Sequence, residues 1–218
     1  MRNERSATPE AAATAADRFM VFSDAVLAIA LTLLALDLPK PSGDTGPAFL
    51  ASIADHSDAY LAFLVSFLVI AQQWRSHHGL FRYLVDAPQR LIVANTVWLL
   101  TIVLTPFATT VLWSGDGVDQ SDFPWRFALY ALVQAVAALA FLRLGAVIAQ
   151  DGLLTAGAPA DLLARNRGRS LVLATTFLVS IGFAFLVGVW AFVLWGALPV
   201  VIHQVMHRVR HHEEVAAA

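Results

Sequence analysis

Four apolar runs, at 19–38, 59–74, 91–113 and 125–149, dominate the chain. A helix needs about 20 apolar residues to cross the hydrocarbon core of a bilayer, so each run reads as a transmembrane helix. A further apolar block, Leu171 to His203, is too long for one crossing; Gly188 interrupts it, and Trp190 and Trp195 follow as residues suited to a membrane interface. Dividing it into 170–187 and 189–207 gives six transmembrane helices. The alternative, one long tilted helix, places the C-terminus on the opposite side. Inside lipid, backbone polar groups must be satisfied within the segment, so the expected fold is an all-α integral membrane protein.

Charge placement supports the division. Lys and Arg collect in cytoplasmic loops. Arg2, Arg5 and Arg18, then Arg75, Arg82 and Arg90, then Arg143, Arg165, Arg167 and Arg169, and finally Arg208 and Arg210 share one side when there are six spans, leaving only Lys40 and Arg126 on the other. That other side is acidic, with Asp37, Asp44, Asp55 and Asp58 in the first loop and Asp116, Asp119 and Asp122 in the third. The formal net charge of -2 conceals this segregation and implies no nucleic-acid partner. Both termini are therefore expected in the cytoplasm, with a loosely helical or disordered arm at 1–17, one membrane domain at 18–208 and a tail at 209–218. The arm lacks the apolar core and cleavage pattern of a signal peptide. The absence of cysteine removes thiolate nucleophiles, disulfides and sulfur metal sites.

The first span carries the most specific pattern. Asp24 is the only acid within its apolar portion, and an intramembrane carboxylate is a functional suspect, costing about 2.5–3.5 kcal/mol if unpaired at the centre. At 100° per residue, Ile29, Leu33 and Leu36 form a narrow stripe, extended by Phe22 and Ala25 with Thr32 at its edge, and Asp24 sits about 140° from Ile29. Asp24 and Ser23 thus turn toward polar partners in their own bundle while the stripe faces something else. Periodicity leaves two readings of the stripe open: ordinary packing or lipid contact, and a hydrophobic constriction at a symmetry axis that closes a pore by dewetting.

The run Arg18-Phe19-Met20-Val21-Phe22-Ser23-Asp24 resembles the Arg-x-x-x-Phe-Ser-Asp signature of the transmembrane protein 175 family, the endosomal and lysosomal potassium channels and their prokaryotic single-repeat relatives. Asp37-Leu38-Pro39 after the first helix, Trp74-Arg75-Ser76-His77-His78 with Phe81 and Arg82, Asn95, and Pro106-Phe107 extend the likeness through three spans. The resemblance implies a homotetramer in the cell membrane whose first helices line a pore, passing potassium in preference to sodium as a leak-type channel. It places the pore layers at Ile29, Leu33 and Leu36, with Thr32 at a pore-lining threonine position implicated in selectivity. The expected partners are potassium ions, the lipid bilayer and other copies of the chain, with no cofactor. No Thr-Val-Gly-Tyr-Gly filter string occurs.

Trp74, Arg75 and His77 are candidates to pair with Asp24 or Ser23, as a polar clasp fixing the lean of the first helix or as a proton sensor. Arg18, Phe22, Ser23, Asp24, Trp74 and His77 make up the motif and its expected polar network. His203, His207 and His211 have the spacing of metal ligands on one helical face, but His⁺ and Arg near a helix C-terminus also suit its dipole, and no metal site is assigned. A hydrolase is disfavoured because Ser23 and Asp24 are consecutive and their side chains diverge by about 100°. A secondary transporter, expected to contain broken helices, is the rival class; proton permeability is the other alternative.

Overall fold

The computed structural model describes residues 9–114 and 121–195, with side chains from Ala15 onward. Among these residues lie α1 (Pro9–Leu36), α2 (Gly46–Asp55), α3 (Ser57–Phe81), α4 (Gln89–Trp113), α5 (Phe123–Gln150) and α6 (Leu162–Val187), followed by a 3₁₀ turn at Gly188–Ala191. Four stretches, Ala15–Leu36, Gln89–Trp113, Phe123–Gln150 and Leu162–Trp195, are long and apolar enough to cross a membrane, and α2 and α3, bent by 57° at their junction, make a fifth if counted as one span.

Several boundaries differ from those read off the apolar runs. The arm expected at 1–17 is helical from Pro9 and continuous with α1: Ala is the strongest helix former, and Pro is tolerated in a first turn. The second span extends from 74 to Phe81, so Trp74 and His77 lie inside α3. The fifth begins at Leu162, taking Arg165, Arg167 and Arg169 onto α6. Helices continue past the end of apolar sequence wherever polar side chains find water or partners. The first loop contains α2, where Thr45 caps the helix by accepting from the Ala48 amide at 3.3 Å and Pro47 occupies the first turn.

The chain reverses at Gly188. Its φ of +59° is accessible chiefly to glycine, and Trp195 Nε1 donates to Ser180 Oγ at 2.9 Å. A straight helix would separate these residues by about 22 Å. One long tilted helix is therefore excluded. The remainder of the expected sixth span, the tail at 209–218 and the His203, His207 and His211 stripe lie outside the described residues.

α1 packs against α3 and α4, and α5 lies between α4 and α6. Leu27, Ala30 and Leu34 of α1 join Ile70, Trp98, Ile102 and Leu144 in one apolar core; a second, around Phe123, Phe127, Tyr130 and Phe177, lies toward the Gly188 end. Between them runs a buried polar ladder: Thr109 Oγ1 donates to Ser66 Oγ at 2.8 Å, Ser66 Oγ lies 3.2 Å from the Tyr130 hydroxyl, Gln134 Nε2 donates to Thr105 Oγ1 at 3.2 Å, and Gln73 Nε2 donates to Gln134 Oε1 at 3.0 Å. These bonds satisfy groups that lipid could not, and they fix α3, α4 and α5 in register.

The antiparallel course of α1 and α3 gathers Asp37, Asp44, Asp55 and Asp58 at one end of the bundle and Arg18, Arg75 and Arg82 at the other. At the arginine-rich end two connections are latched together: Val85 N donates to Leu153 O at 3.0 Å, Thr155 N donates to Tyr83 O at 2.9 Å, and Arg90 pairs with Asp151 at 2.8 Å.

Candidate functional site: the two faces of the first helix

Ser23 is fully buried, and its hydroxyl donates to the Phe19 carbonyl at 3.0 Å, one turn back on α1. With its proton committed, its oxygen can only accept. It accepts from Asn95 Nδ2 of α4 at 2.8 Å, which turns the Asn95 carbonyl oxygen toward His77 Nε2 of α3, 3.1 Å away. His77 therefore carries its proton on Nε2 and donates, and the direction of every bond follows from the Phe19 carbonyl. The imidazole is held flat by Trp98, at 4.6 Å between centroids and 2° between planes, and by Phe81 at 3.7 Å. Three helices meet in this chain of bonds, all of it buried.

Asp24 turns to a different pair. Trp74 Nε1 donates to its Oδ1 at 3.1 Å, and His78 Nδ1 lies 4.0 Å from its Oδ2. Among the residues expected to contact Asp24 or Ser23, Trp74 does so, whereas His77 reaches Ser23 only through Asn95. Arg75 enters neither cluster. Arg18 is exposed at the arginine-rich end. Asn95 and His78 are the residues that site reasoning from the sequence passed over. The signal for Asn95 was available: an amide in the first half of an otherwise apolar span needs a partner.

Among the described residues, the opposite face of α1 is left uncovered. Phe22, Ile29, Leu33 and Leu36 are 57%, 58%, 38% and 76% exposed, while Leu27, Ala30 and Leu34 are at most 4% exposed. Ala25, Ala28, Thr32 and Ala35 are exposed as well. The Thr32 hydroxyl donates to the Ile29 carbonyl at 2.8 Å, so what it offers outward is an oxygen with free lone pairs. Near the acidic end of the bundle, Thr110 of α4 donates to Asp37 Oδ2 at 3.0 Å, and Tyr60 of α3 donates to the Pro39 carbonyl at 2.9 Å. α1 is thereby fastened at both ends.

Residues 18–106, which contain this whole arrangement, match the family described as endosomal/lysosomal potassium channel TMEM175. Over that stretch the chain is similar to the TMEM175 family. That description is of a potassium channel and not of an enzyme, and it gives no support to the hydrolase reading. A relative from Streptomyces collinus, named as a potassium channel, is 35% identical over 58% of this chain and 61% of its own length. Another from a Chryseobacterium, also named as a potassium channel, is 32% identical over 60% of this chain and 64% of its own. The chain thus spans less than two thirds of these curated relatives. The chicken protein, named as an endosomal/lysosomal proton channel, is 35% identical over 42% of this chain and 20% of its own length. The crystal structure of a TMEM175 homologue from Chamaesiphon minutus, described as a lysosomal potassium-selective channel homologue, superposes with a TM-score of 0.69 at 24% identity, covering 88% of this chain and 97% of that one. The two share a fold.

Proposed function

We propose that this protein is a potassium-permeable, potassium-over-sodium selective leak-type channel of the cell membrane, formed by a homotetramer in which α1 lines the pore and Ile29 is the narrowest point. The supporting observation is the pair of opposed faces on α1: one face is tied into the protomer by Ser23 and Asp24, and the other leaves Phe22, Ile29, Leu33 and Leu36 uncovered. Around a four-fold axis these side chains would form rings. A ring of isoleucines excludes bulk water and admits an ion only after partial dehydration. Potassium, with its weaker hydration, is favoured there. The outward lone pairs of Thr32 suit a cation next to that ring. Exposed Val21, Ala28 and Ala35 flank the stripe, and such small residues let neighbouring helices approach closely.

In this reading the arginine-rich end faces the cytoplasm, with both termini there. Potassium flux into liposomes containing the purified full-length protein, compared with sodium flux, is the test. Replacing Ile29 by Asn should wet the ring, raising the current and lowering the potassium preference. Unaltered conductance and selectivity would sink the assignment. Proton permeation is the second reading, favoured by the chicken and zebrafish relatives, which are named as endosomal/lysosomal proton channels. A pH-sensitive dye inside the same liposomes separates the two. Flux of either ion without a coupled solute excludes the transporter class.

A further inference from the structure

α3 and α6 flank a cleft floored by α5, and the cleft encloses about 560 Å³, within the roughly 300–1,000 Å³ of small-ligand pockets. Val65, Val69, Phe141, Leu173 and Phe177 line its length, a surface with nothing to offer but hydrocarbon contact. Its arginine-rich end is polar, formed by Gln72, Gln73, Ser76 and Arg169. With the Gln72 carboxamide turned so that its oxygen faces α6, the Arg169 guanidinium donates to it. That amide satisfies hydrogen bonds but supplies no charge.

A second guanidinium, that of Arg75 on α3, lies close enough to act electrostatically on Arg169, and both arginines are exposed. Among the described residues neither has a carboxylate partner. Asp151 and Asp161, the carboxylates of the α5–α6 connection, are already paired with Arg90 and Arg165. Arg169 thus lines the polar end of an apolar cavity while the charge of Arg75, on a second helix, acts on it, and like charges repel unless an anion sits between them. A second copy of this face would bring further arginines and aggravate the repulsion. A phosphate monoanion on a hydrocarbon tail satisfies both halves of the cleft, since guanidinium binds phosphate in a two-pronged fork.

We propose that the α3–α6 cleft is a binding site for one anionic phospholipid per subunit, with its phosphate between Arg75 and Arg169 and an acyl chain along the cavity. The inference stands apart from ion conduction and is tested without it. The full-length protein is placed in nanodiscs with brominated phosphatidylglycerol or brominated phosphatidylcholine. Quenching of tryptophan fluorescence is followed, Trp98, Trp113 and Trp195 all lining the cleft, and retained lipid is counted by native mass spectrometry. The expected result is selective retention of about one phosphatidylglycerol per subunit, its affinity falling about fivefold in R169Q and about twenty-fivefold in R75Q/R169Q, the factor expected per cation near an anionic lipid. Ala138, at the cavity wall, supplies a variant that spares both charges: A138L should reduce quenching and retention together. Equal retention of the two lipids, or undiminished retention in R75Q/R169Q, overturns the proposal and leaves the cleft to zwitterionic lipid or to the chain beyond residue 195. Displacement of the lipid by equimolar glycerol 3-phosphate also overturns it, since a free-anion site needs no tail.

Discussion

Asn95 Nδ2 donates to Ser23 Oγ across 2.8 Å, and this one bond orients both the amide of α4 and the imidazole of α3 against the first helix. Replacing Asn95 by Ala would leave the Nε2 proton of His77 without an acceptor in a fully buried site. An unsatisfied buried polar group costs about 1–3 kcal/mol. N95A is expected to lower unfolding free energy by about that amount, measured by denaturation in detergent micelles. A variant as stable as the parent would show that the bond chain does not hold α1.

Asp24 differs in kind from Ser23, because its side chain is 33% exposed and its partners Trp74 and His78 are partly exposed too. D24A should therefore cost no more than about 1 kcal/mol in protomer stability, given solvent screening. Its larger effect is expected on assembly, as α1 loses the contact that sets its lean. Size-exclusion chromatography of D24A and D24N, with the oligomer fraction as readout, checks this; D24N keeps an acceptor for the Trp74 N–H and should assemble better than D24A.

Leu27 and Ile29 stand two residues apart and face opposite environments, 1% and 58% exposed. Truncating a buried leucine to Ala typically costs about 2–5 kcal/mol, so L27A should strongly destabilise the protomer. I29A should alter protomer stability by less than about 0.5 kcal/mol. Its effect belongs to conduction. Equal destabilisation by the two would mean that Ile29 is core.

Gly188 turns the chain back with φ at +59°. An Ala there places a Cβ in a region that L residues avoid, at a cost of about 1–3 kcal/mol. G188A should lower the thermal midpoint and red-shift the emission of Trp195 as its bond to Ser180 loosens. A midpoint unchanged in G188A would argue that the turn carries no strain.

The His77–His78 pair shows where local sequence stops being informative. Adjacent residues on a helix point about 100° apart, so one of the two had to face α1 and the other elsewhere, yet either assignment satisfied the sequence. The position of α4 chose between them: Asn95 arrives beside His77, leaving His78 for Asp24. The extent of α3 to Phe81 was equally hidden, because the apolar run that marked the span ends at Trp74 while the helix continues on polar residues that find partners.

The sequence alone determined that the chain is helical and apolar enough to cross a membrane, that its charges divide between two ends, and that Asp24 and the Ile29 stripe lie on different sides of one helix. Each is a property of a single segment, set by helical periodicity and the cost of placing charge in hydrocarbon. Tertiary structure decided which helices receive Ser23 and Asp24, that the chain reverses at Gly188, and that Arg169 lines an apolar cleft between α3 and α6. Those outcomes depend on the register between helices, which is set by packing and by directional bonds between residues dozens of positions apart.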